Sequence, residues 1–101
     1  MLESLRAIKF PVKPLSVGGQ SVWVRALSAA DAEEFAKATD GKDGYGVAVR
    51  LVCLCLCDAD GKRECTDADM EQLAQLPATV ITELFNAAAE INGMRGDPEG
   101  N

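Results

Sequence analysis

Residues 57–93 read CDADGKRECTDADMEQLAQLPATVITELFNAAAEING, and this stretch decides the fold. The Asp-x-Asp-Gly segment at residues 58–61 has the composition of a polar turn. Thr66 follows as an N-cap, because its hydroxyl can accept a hydrogen bond from a free N–H at the start of a helix. The segment therefore predicts a turn and then a short helix, whose buried side is formed by Met70, Leu73 and Ala74.

A second, longer helix is predicted after the Leu76-Pro77 break. Proline fits the first turn of a helix, where its missing N–H would have no partner in any case. Apolar residues then recur at three- and four-residue spacing and form the strongest amphipathic stripe in the chain: Ile81, Leu84, Phe85, Ala88 and Ile91. Asn92-Gly93 predicts the end of this helix.

Residues 45–57 read YGVAVRLVCLCLC, a run in which Arg50 is the only charge. Periodicity does not separate a buried helix from a buried strand here. The β-branched Val47, Val49 and Val52 favour a strand, whereas the length of the run exceeds that of most strands. We therefore favour a central helix that contacts several neighbours.

Residues 8–27 predict a β-hairpin. Gly18-Gly19 supplies a turn that tolerates positive φ, and Val22 alternates with Val24 beyond it. Trp23 and Arg25 then share the opposite face. Because prolines cannot donate ladder hydrogen bonds, Pro11 and Pro14 make the first strand an edge or break it near its start. Such an edge could accept a partner strand.

A third helix is predicted from about Ala29 to Ala38. Ser28 is a good N-cap, and carboxylates in the early turns complement the helix dipole. Residues 39–44 contain two glycines and two aspartates that end the helix, and we expect the loop at residues 40–44 to be the most mobile region.

These patterns predict a mainly α protein with an N-terminal β-hairpin (α+β), about four helices and a single domain over residues 1–94. Residues 95–101 are predicted to be a disordered tail. At 101 residues the chain is long enough to bury a core but too short for two stable domains. Its 48% hydrophobic and 26% charged residues exclude a disordered composition.

The charge distribution argues against nucleic acid as a partner. The formal net charge is −6, and residues 51–101 carry three Lys/Arg against ten Asp/Glu. Neutralising phosphates requires clustered basic residues, and Arg6, Lys9 and Lys13 are better explained as a solvated N-terminal segment. The N-terminus lacks the apolar core of a secretory signal, and no apolar run is long enough to span a bilayer. We expect a cytoplasmic protein without membrane contacts.

Catalysis is not expected. The chain has no histidine, the residue most used for acid–base chemistry at neutral pH. The phosphate-binding GxxxxGK[ST], dinucleotide-binding GxGxxG and hydrolase GxSxG motifs are all missing from the sequence. We therefore predict a non-enzymatic protein without catalytic residues or cofactors.

Two segments invite a metal interpretation, and both are better explained structurally. The acidic residues 58–69 could suggest calcium, but Gly61 is fourth and Asp69 twelfth, whereas an EF-hand loop needs Gly sixth and Glu twelfth. The four cysteines at 53, 55, 57 and 65 match a zinc site in number only, because CxCxC inside an apolar run is not the paired pattern of such sites. Small buried cysteines in a reducing cytosol explain them better.

A few apolar or aromatic residues are candidates for partner contacts. Trp23 is the single tryptophan and lies beside Arg25 on a predicted strand, where packing in the core or the hairpin is the better explanation. The longest helical stripe is likewise better explained as core, although it could serve both roles if the protein oligomerises. The candidate partner-binding residues are Trp23, Arg25, Leu84, Phe85 and Ile91.

Over roughly residues 20–94 the chain resembles the tail assembly chaperones of long-tailed bacteriophages and their prophage relatives. The resemblance rests on VWVRALSAADAEEF at 22–35, LCDADGKRECTDADMEQLAQLP at 56–77 and LFNAAAEING at 84–93, in this order and spacing. Cys65 departs from the pattern, in which a large aromatic or aliphatic residue is expected before the TDAD cap. This departure concerns local packing.

The resemblance implies a non-enzymatic protein that binds the tape-measure protein during tail assembly and keeps its long helices soluble. The tail tube protein is a second candidate partner, and a homo-oligomer is compatible with the role. The resemblance also implies location in the host bacterial cytoplasm, absence from the mature virion, and a short form of a protein that is often also made as a frameshifted longer form.

Two alternatives remain open from the sequence. A small structural head–tail connector or virion subunit would also be short, acidic and without catalytic groups. A bacterial adaptor or antitoxin-like interaction protein would share these features as well. Presence in purified particles would distinguish the first alternative, and genomic neighbours the second.

Overall fold

The glycine pair at 18 and 19 turns the first two strands back on each other. Both glycines have positive φ, 58° and 81°, as a two-residue hairpin turn of type I′ requires. The computed structural model describes residues 1–94, and in it β1 (Val12–Val17) pairs antiparallel with β2 (Gln20–Arg25). The predicted hairpin is confirmed, with strands shorter than the predicted 8–27.

The outer edge of β1 is interrupted by a proline. In the described residues the strand order is β1-β2-β3, so β1 is an edge strand, as predicted. Val17 and Gln20 flank the two-residue turn as a hydrogen-bonded pair, and alternate residues of β1 then bond to β2. Pro14, paired with Trp23, falls in the other set, whose backbone groups face outward. The edge therefore lacks one donor at its centre.

The next helix, α2 (Ala29–Ala38), begins and ends at the predicted residues. The Ser28 hydroxyl accepts a hydrogen bond from the Asp31 N–H at 3.0 Å, which confirms the predicted cap. The carboxylate of Asp31 in turn pairs with Arg25 at the end of β2 at 2.9 Å. The same aspartate thereby joins the first turn of the helix to the sheet.

The apolar run at 45–57 is a helix over most of its length. α3 (Tyr45–Cys55) carries six consecutive or near-consecutive buried residues: Val49, Leu51, Val52, Cys53, Leu54 and Cys55. The chain then changes directly into the two-residue strand β3 (Leu56–Cys57), which pairs with β2. The helical interpretation is confirmed, and only the last two residues of the run are extended.

The acidic segment after β3 forms a turn and a helix cap. The Asp58 Oδ1 accepts hydrogen bonds from the N–H groups of Asp60 and Lys62, both at 2.9 Å. Asp69 accepts a hydrogen bond from the Thr66 N–H at 2.8 Å and completes a capping box. The predicted short helix is a 3-10 turn over residues 67–69 followed by α4 (Met70–Leu73).

The last helix, α5 (Ala78–Ile91), begins after Pro77 and ends at Asn92-Gly93, as predicted. It packs against α3 on one side and against β1 and β2 on another. Of its predicted stripe, Ile81, Leu84 and Ala88 are buried, and Phe85 and Ile91 are half-buried. The core thus lies between the sheet and the α3–α5 pair, and α4 closes one end.

One element stands apart from the core. The short N-terminal helix α1 (Leu2–Arg6) has no buried residue. With it, residues 1–94 contain five α-helices and a three-stranded sheet, so the predicted fold class is confirmed. In this part of the chain no helix has the length and apolarity needed to cross a membrane. The predicted disordered tail at 95–101 lies outside the described residues.

Candidate functional site

An apolar groove opens between the starts of α3 and α5 and the side of α4. Its volume is about 370 Å³. Val49 and Ile81, both buried, form part of its floor, while Tyr45 and Leu76 stand at its rim with 57% and 41% of their surface exposed. Its full lining is Tyr45, Gly46, Val49, Met70, Glu71, Ala74, Leu76, Ala78 and Ile81.

Local sequence features keep this groove open. Gly46 lies in the first turn of α3 and lines the groove, and a Cβ added there would meet no atom within 4 Å. Pro77 stops the chain from continuing α4 as one helix into α5, which leaves Leu76 exposed between the two. A missing side chain and a helix break therefore create the groove.

Two smaller hollows of about 300 Å³ each lie next to the groove. Tyr45 separates the groove from a hollow that is also lined by Phe85. The hydroxyl of Tyr45, on α3, lies 3.3 Å from the hydroxyl of Thr82, on α5. Leu76 separates the groove from a hollow on the other side of α4 that contains Glu64 and Cys65. The groove and the two hollows therefore adjoin one another at Tyr45 and Leu76, and together they form a mainly apolar surface.

Acidic residues mark the α4 side of this surface. Glu71 lines the groove itself, and Glu64 and Asp69 line the hollow beyond Leu76. Glu64 and Glu71 are exposed, and within residues 1–94 neither belongs to an ion pair. An apolar surface with a negative rim favours a partner segment that combines apolar and basic side chains.

Among the predicted contact residues, Arg25 is held inside the protein. It is 8% exposed, pairs with Asp31 at 2.9 Å, and its Nε donates to the Leu54 carbonyl at 3.4 Å. Its guanidinium lies 4.7 Å from the centroid of the Phe10 ring, a cation–π distance. These contacts tie the sheet to α2, α3 and the N-terminal segment.

The other predicted contact residues are spread over the fold. Leu84 is 4% exposed and belongs to the core, whereas Trp23, Phe85 and Ile91 are half-buried. Trp23 lies on β2, paired with Pro14 of β1. Ile91 is the last residue of α5 and packs against the buried core. Phe85 lines the hollow beside Tyr45. Only Phe85 of this set adjoins the groove surface.

Sequence reasoning missed the residues that form the groove: Tyr45, Gly46 and Leu76. A signal existed for two of them. Gly46 is a glycine inside a predicted helix, which costs stability and often has a packing reason, and Leu76 is an apolar residue at a predicted helix break. Tyr45 carried no comparable signal, because its exposure depends on how α3 and α5 meet.

Burial disfavours the thiolate form of three of the four cysteines. Burial raises the pKa of the Cys55 thiol to about 12, although the hydrogen bond from Asn92 works against this rise. Burial also raises the pKa values of Cys57 and Cys65. All four cysteines are free, and Cys53 donates to the Thr66 carbonyl at 3.2 Å. Within the described residues no cluster of three or more potential ligands could hold a metal ion.

Comparisons with known proteins concern the family and the fold of this chain. A family model described as phage tail assembly chaperone, TAC, matches residues 6–92. A solved structure of the bacteriophage HK97 tail assembly chaperone superposes with a TM-score of 0.64 at 20% sequence identity, covering 89% of this chain and 95% of that one. Among curated proteins, no sequence matches this chain. At this identity the structural match establishes the fold alone.

Proposed function

The chain belongs to the phage tail assembly chaperone family, and we propose that it acts by binding the tape-measure protein and keeping that protein soluble until the tail tube surrounds it. The family establishes a role in phage tail assembly, and it is not a family of enzymes. Two points are proposed: that the tape-measure protein is the binding partner, and that it binds in the groove described above.

The single observation that supports client binding is the apolar surface centred on the α3–α4–α5 groove. Tyr45 and Leu76 expose large apolar side chains at its rim, beside a preformed depression. An amphipathic helix binds such a groove by inserting apolar side chains spaced three and four residues apart. A tape-measure protein presents long apolar helices before assembly, and exposed apolar surface of this kind aggregates unless it is covered.

The acidic composition supports the same role. The net charge of −6 favours solubility of the chaperone and of a complex that covers apolar client surface. Trp23, Phe85 and Ile91, which are half-buried, and the loop at residues 40–44, which leads directly into Tyr45, are auxiliary contacts in this proposal. Arg25 and Leu84 contribute by holding the fold, because they are buried.

Co-expression with the long helical protein encoded nearby tests the proposal. We expect a soluble complex that co-elutes, whereas that protein alone is insoluble. Tyr45→Asp and Leu76→Asp should each reduce the soluble fraction, because a charge at the rim opposes insertion of apolar side chains. Ala36→Asp, an exposed apolar-to-acidic change on α2, is the matched control and should leave solubility unchanged.

Two results would contradict the proposal. If the long helical protein stays insoluble in the presence of the chaperone and does not co-purify, tape-measure binding is wrong. If the chaperone is found in purified virus particles, the head–tail connector or virion subunit is the better interpretation, because we propose that this protein acts in the host cytoplasm and is absent from the mature virion. The tail tube protein is the second client to test in the same assay.

A further inference from the structure

Glu71 is the one charged side chain among the described residues that line the α3–α4–α5 groove. The rest of that lining is apolar, except for the hydroxyl group of Tyr45. Glu71 is exposed, and within residues 1–94 its carboxylate belongs to no ion pair. A ligand that binds in the groove can therefore place a basic group against this carboxylate.

The groove walls formed by α4 and α5 carry only negative charge. Residues 64–94, which include both helices, contain six Asp or Glu and no Lys or Arg. Asp67 and Glu90 have cationic partners in other segments. Four carboxylates belong to no ion pair in the part of the chain that the structure describes: Glu64, Asp69, Glu71 and Glu83. Their summed field attracts basic groups to this side of the protein and repels acidic groups.

The apolar part of the groove fits the stripe of an amphipathic helix. Val49 and Ile81 are buried in its floor, and Tyr45 and Leu76 expose apolar surface at its rim. When the stripe of a bound helix faces the floor, the residues that flank this stripe lie at the rim. A Lys or Arg at such a position can lay its aliphatic stem on the rim while its charged end reaches the α4 side, where Glu71 lies.

We infer that Glu71 determines the specificity of the groove, which takes amphipathic helices whose apolar stripe is flanked by Lys or Arg and disfavours helices with acidic residues there. The apolar lining supplies affinity, and the pairing of Glu71 with the basic group supplies selection. The inference rests on the proposed function, since it names the chemistry by which that groove recognises its client helix.

Three synthetic peptides of about 20 residues, long enough to form a helix, test the selection. All three have leucines spaced three and four residues apart, and the positions that flank this stripe are all Lys, all Gln or all Glu. Fluorescence anisotropy with the full chain measures the Kd of each peptide. We expect the Lys peptide to bind about tenfold more tightly than the Glu peptide, because attraction to Glu71 is exchanged for repulsion. About 1 M salt should abolish this preference.

Glu71→Gln assigns the preference to one residue. It should reduce the preference from about tenfold to about twofold, the remainder coming from the field of the other carboxylates. Glu33→Gln is the matched control, because Glu33 is an exposed glutamate on α2 outside the groove lining, and it should keep the tenfold preference. Tyr45→Ala should weaken all three peptides by a similar factor. Since each preference is a ratio within one variant, a change in the folded fraction affects both Kd values equally.

Three results would overturn the inference. Kd values of the Lys and Glu peptides within about twofold of each other for the unmodified chain would show that the groove does not select by charge. Equal losses of preference in Glu71→Gln and Glu33→Gln would assign selection to the net charge of the protein. Failure of every peptide to bind at about 1 mM would show that the groove does not take amphipathic helices.

The co-expression assay separates this inference from the proposed function. If the long helical protein is solubilised but the Lys peptide is not preferred, the proposed function stands and the selection by Glu71 is wrong. If the Lys peptide is preferred through Glu71 but the long helical protein is neither solubilised nor co-purified, the selection stands and the client is wrong. Where both hold, Glu71→Lys should lower the soluble fraction of the client more than Glu33→Lys does, and equal effects would contradict the role of Glu71.

Discussion

The Asn92 side chain accepts a hydrogen bond from the Leu27 backbone N–H at 2.7 Å, although 65 positions separate the two residues. Asn92 Nδ2 also donates to the Ala88 carbonyl at 2.9 Å. The amide therefore joins the C-terminal end of α5 to the connection between β2 and α2. A residue predicted only to end a helix also holds two distant parts of the chain together.

Asn92→Ala should lower the free energy of unfolding by about 1–3 kcal/mol, because it leaves the partly buried Leu27 N–H without a partner. Urea unfolding followed by circular dichroism measures the change. Asn86→Ala is the matched control: Asn86 is exposed on the same helix, so its loss should alter stability by less than about 0.5 kcal/mol. Equal effects of the two substitutions would show that the Asn92 contact is unimportant.

The Arg25–Asp31 ion pair should behave as a coupled unit. Arg25→Met leaves a carboxylate with little solvent access and should cost about 2–4 kcal/mol. Adding Asp31→Ala to Arg25→Met should recover part of this loss, because it removes the unpaired charge. Thermal unfolding of the two single variants and the double variant measures the coupling. Purely additive losses would mean that the side chains contribute independently.

Gly46 should tolerate a methyl group but not a large side chain. Gly46→Ala should raise stability by about 0.5–1 kcal/mol, because glycine inside a helix is unfavourable and the added Cβ meets no neighbour. Gly46→Trp should fill the groove and reduce client binding while the protein stays folded. Unfolding curves and pull-down of the co-expressed partner measure the two effects. Undiminished binding by Gly46→Trp would place the client on another surface.

The buried thiols should make stability fall in alkaline solution. The pKa of Cys55 is raised to about 12 in the folded protein from its usual value of 9.0. The unfolded chain therefore loses the proton first, and stability is full below about pH 9 and decreases between pH 9 and pH 12. The slope should reach about 1.4 kcal/mol per pH unit for this group.

Unfolding midpoints of the Cys55→Ala variant test this assignment. Its stability is lower overall because a cavity is left, but its alkaline slope should be shallower than that of the unmodified chain. Cys57 and Cys65 also have raised pKa values, so some slope should persist in the variant. Identical slopes with and without Cys55 would show that this thiol does not control alkaline stability.

Local signals predicted the elements of the fold well. Ser28 and Thr66 are N-caps in the structure, and the Gly18-Gly19 turn joins the predicted strands. Each of these signals acts within a few residues, so sequence contains the necessary information. The length of the apolar run favours a helix over residues 45–55, although its β-branched residues favour a strand. The two-residue strand that follows has no local signal, because it exists only through pairing with β2.

The candidate site was predicted less well, because exposure is a property of packing between elements. Arginine is a residue type that often binds partners. Arg25 is nevertheless buried, because it contacts Asp31, Leu54 and Phe10 from three other segments of the chain. Tyr45 is predicted to begin a central helix, and in the structure it lies at the rim of a groove. Sequence periodicity indicates which residues form the apolar face of a helix. It does not specify which of these residues the neighbouring helices leave exposed.

Pro14 opposes one of the two ways in which this protein could bind another chain, namely strand addition at a sheet edge and side-chain contact in a groove. A strand added to the outer edge of β1 would find no donor at its centre, so backbone pairing there is interrupted. The proposed capture of a client helix in the groove would instead use side chains and leave the backbone hydrogen bonds of each segment within its own helix. A protein that binds aggregation-prone helices in this way does not present a free strand edge on which those helices could convert into β-sheet.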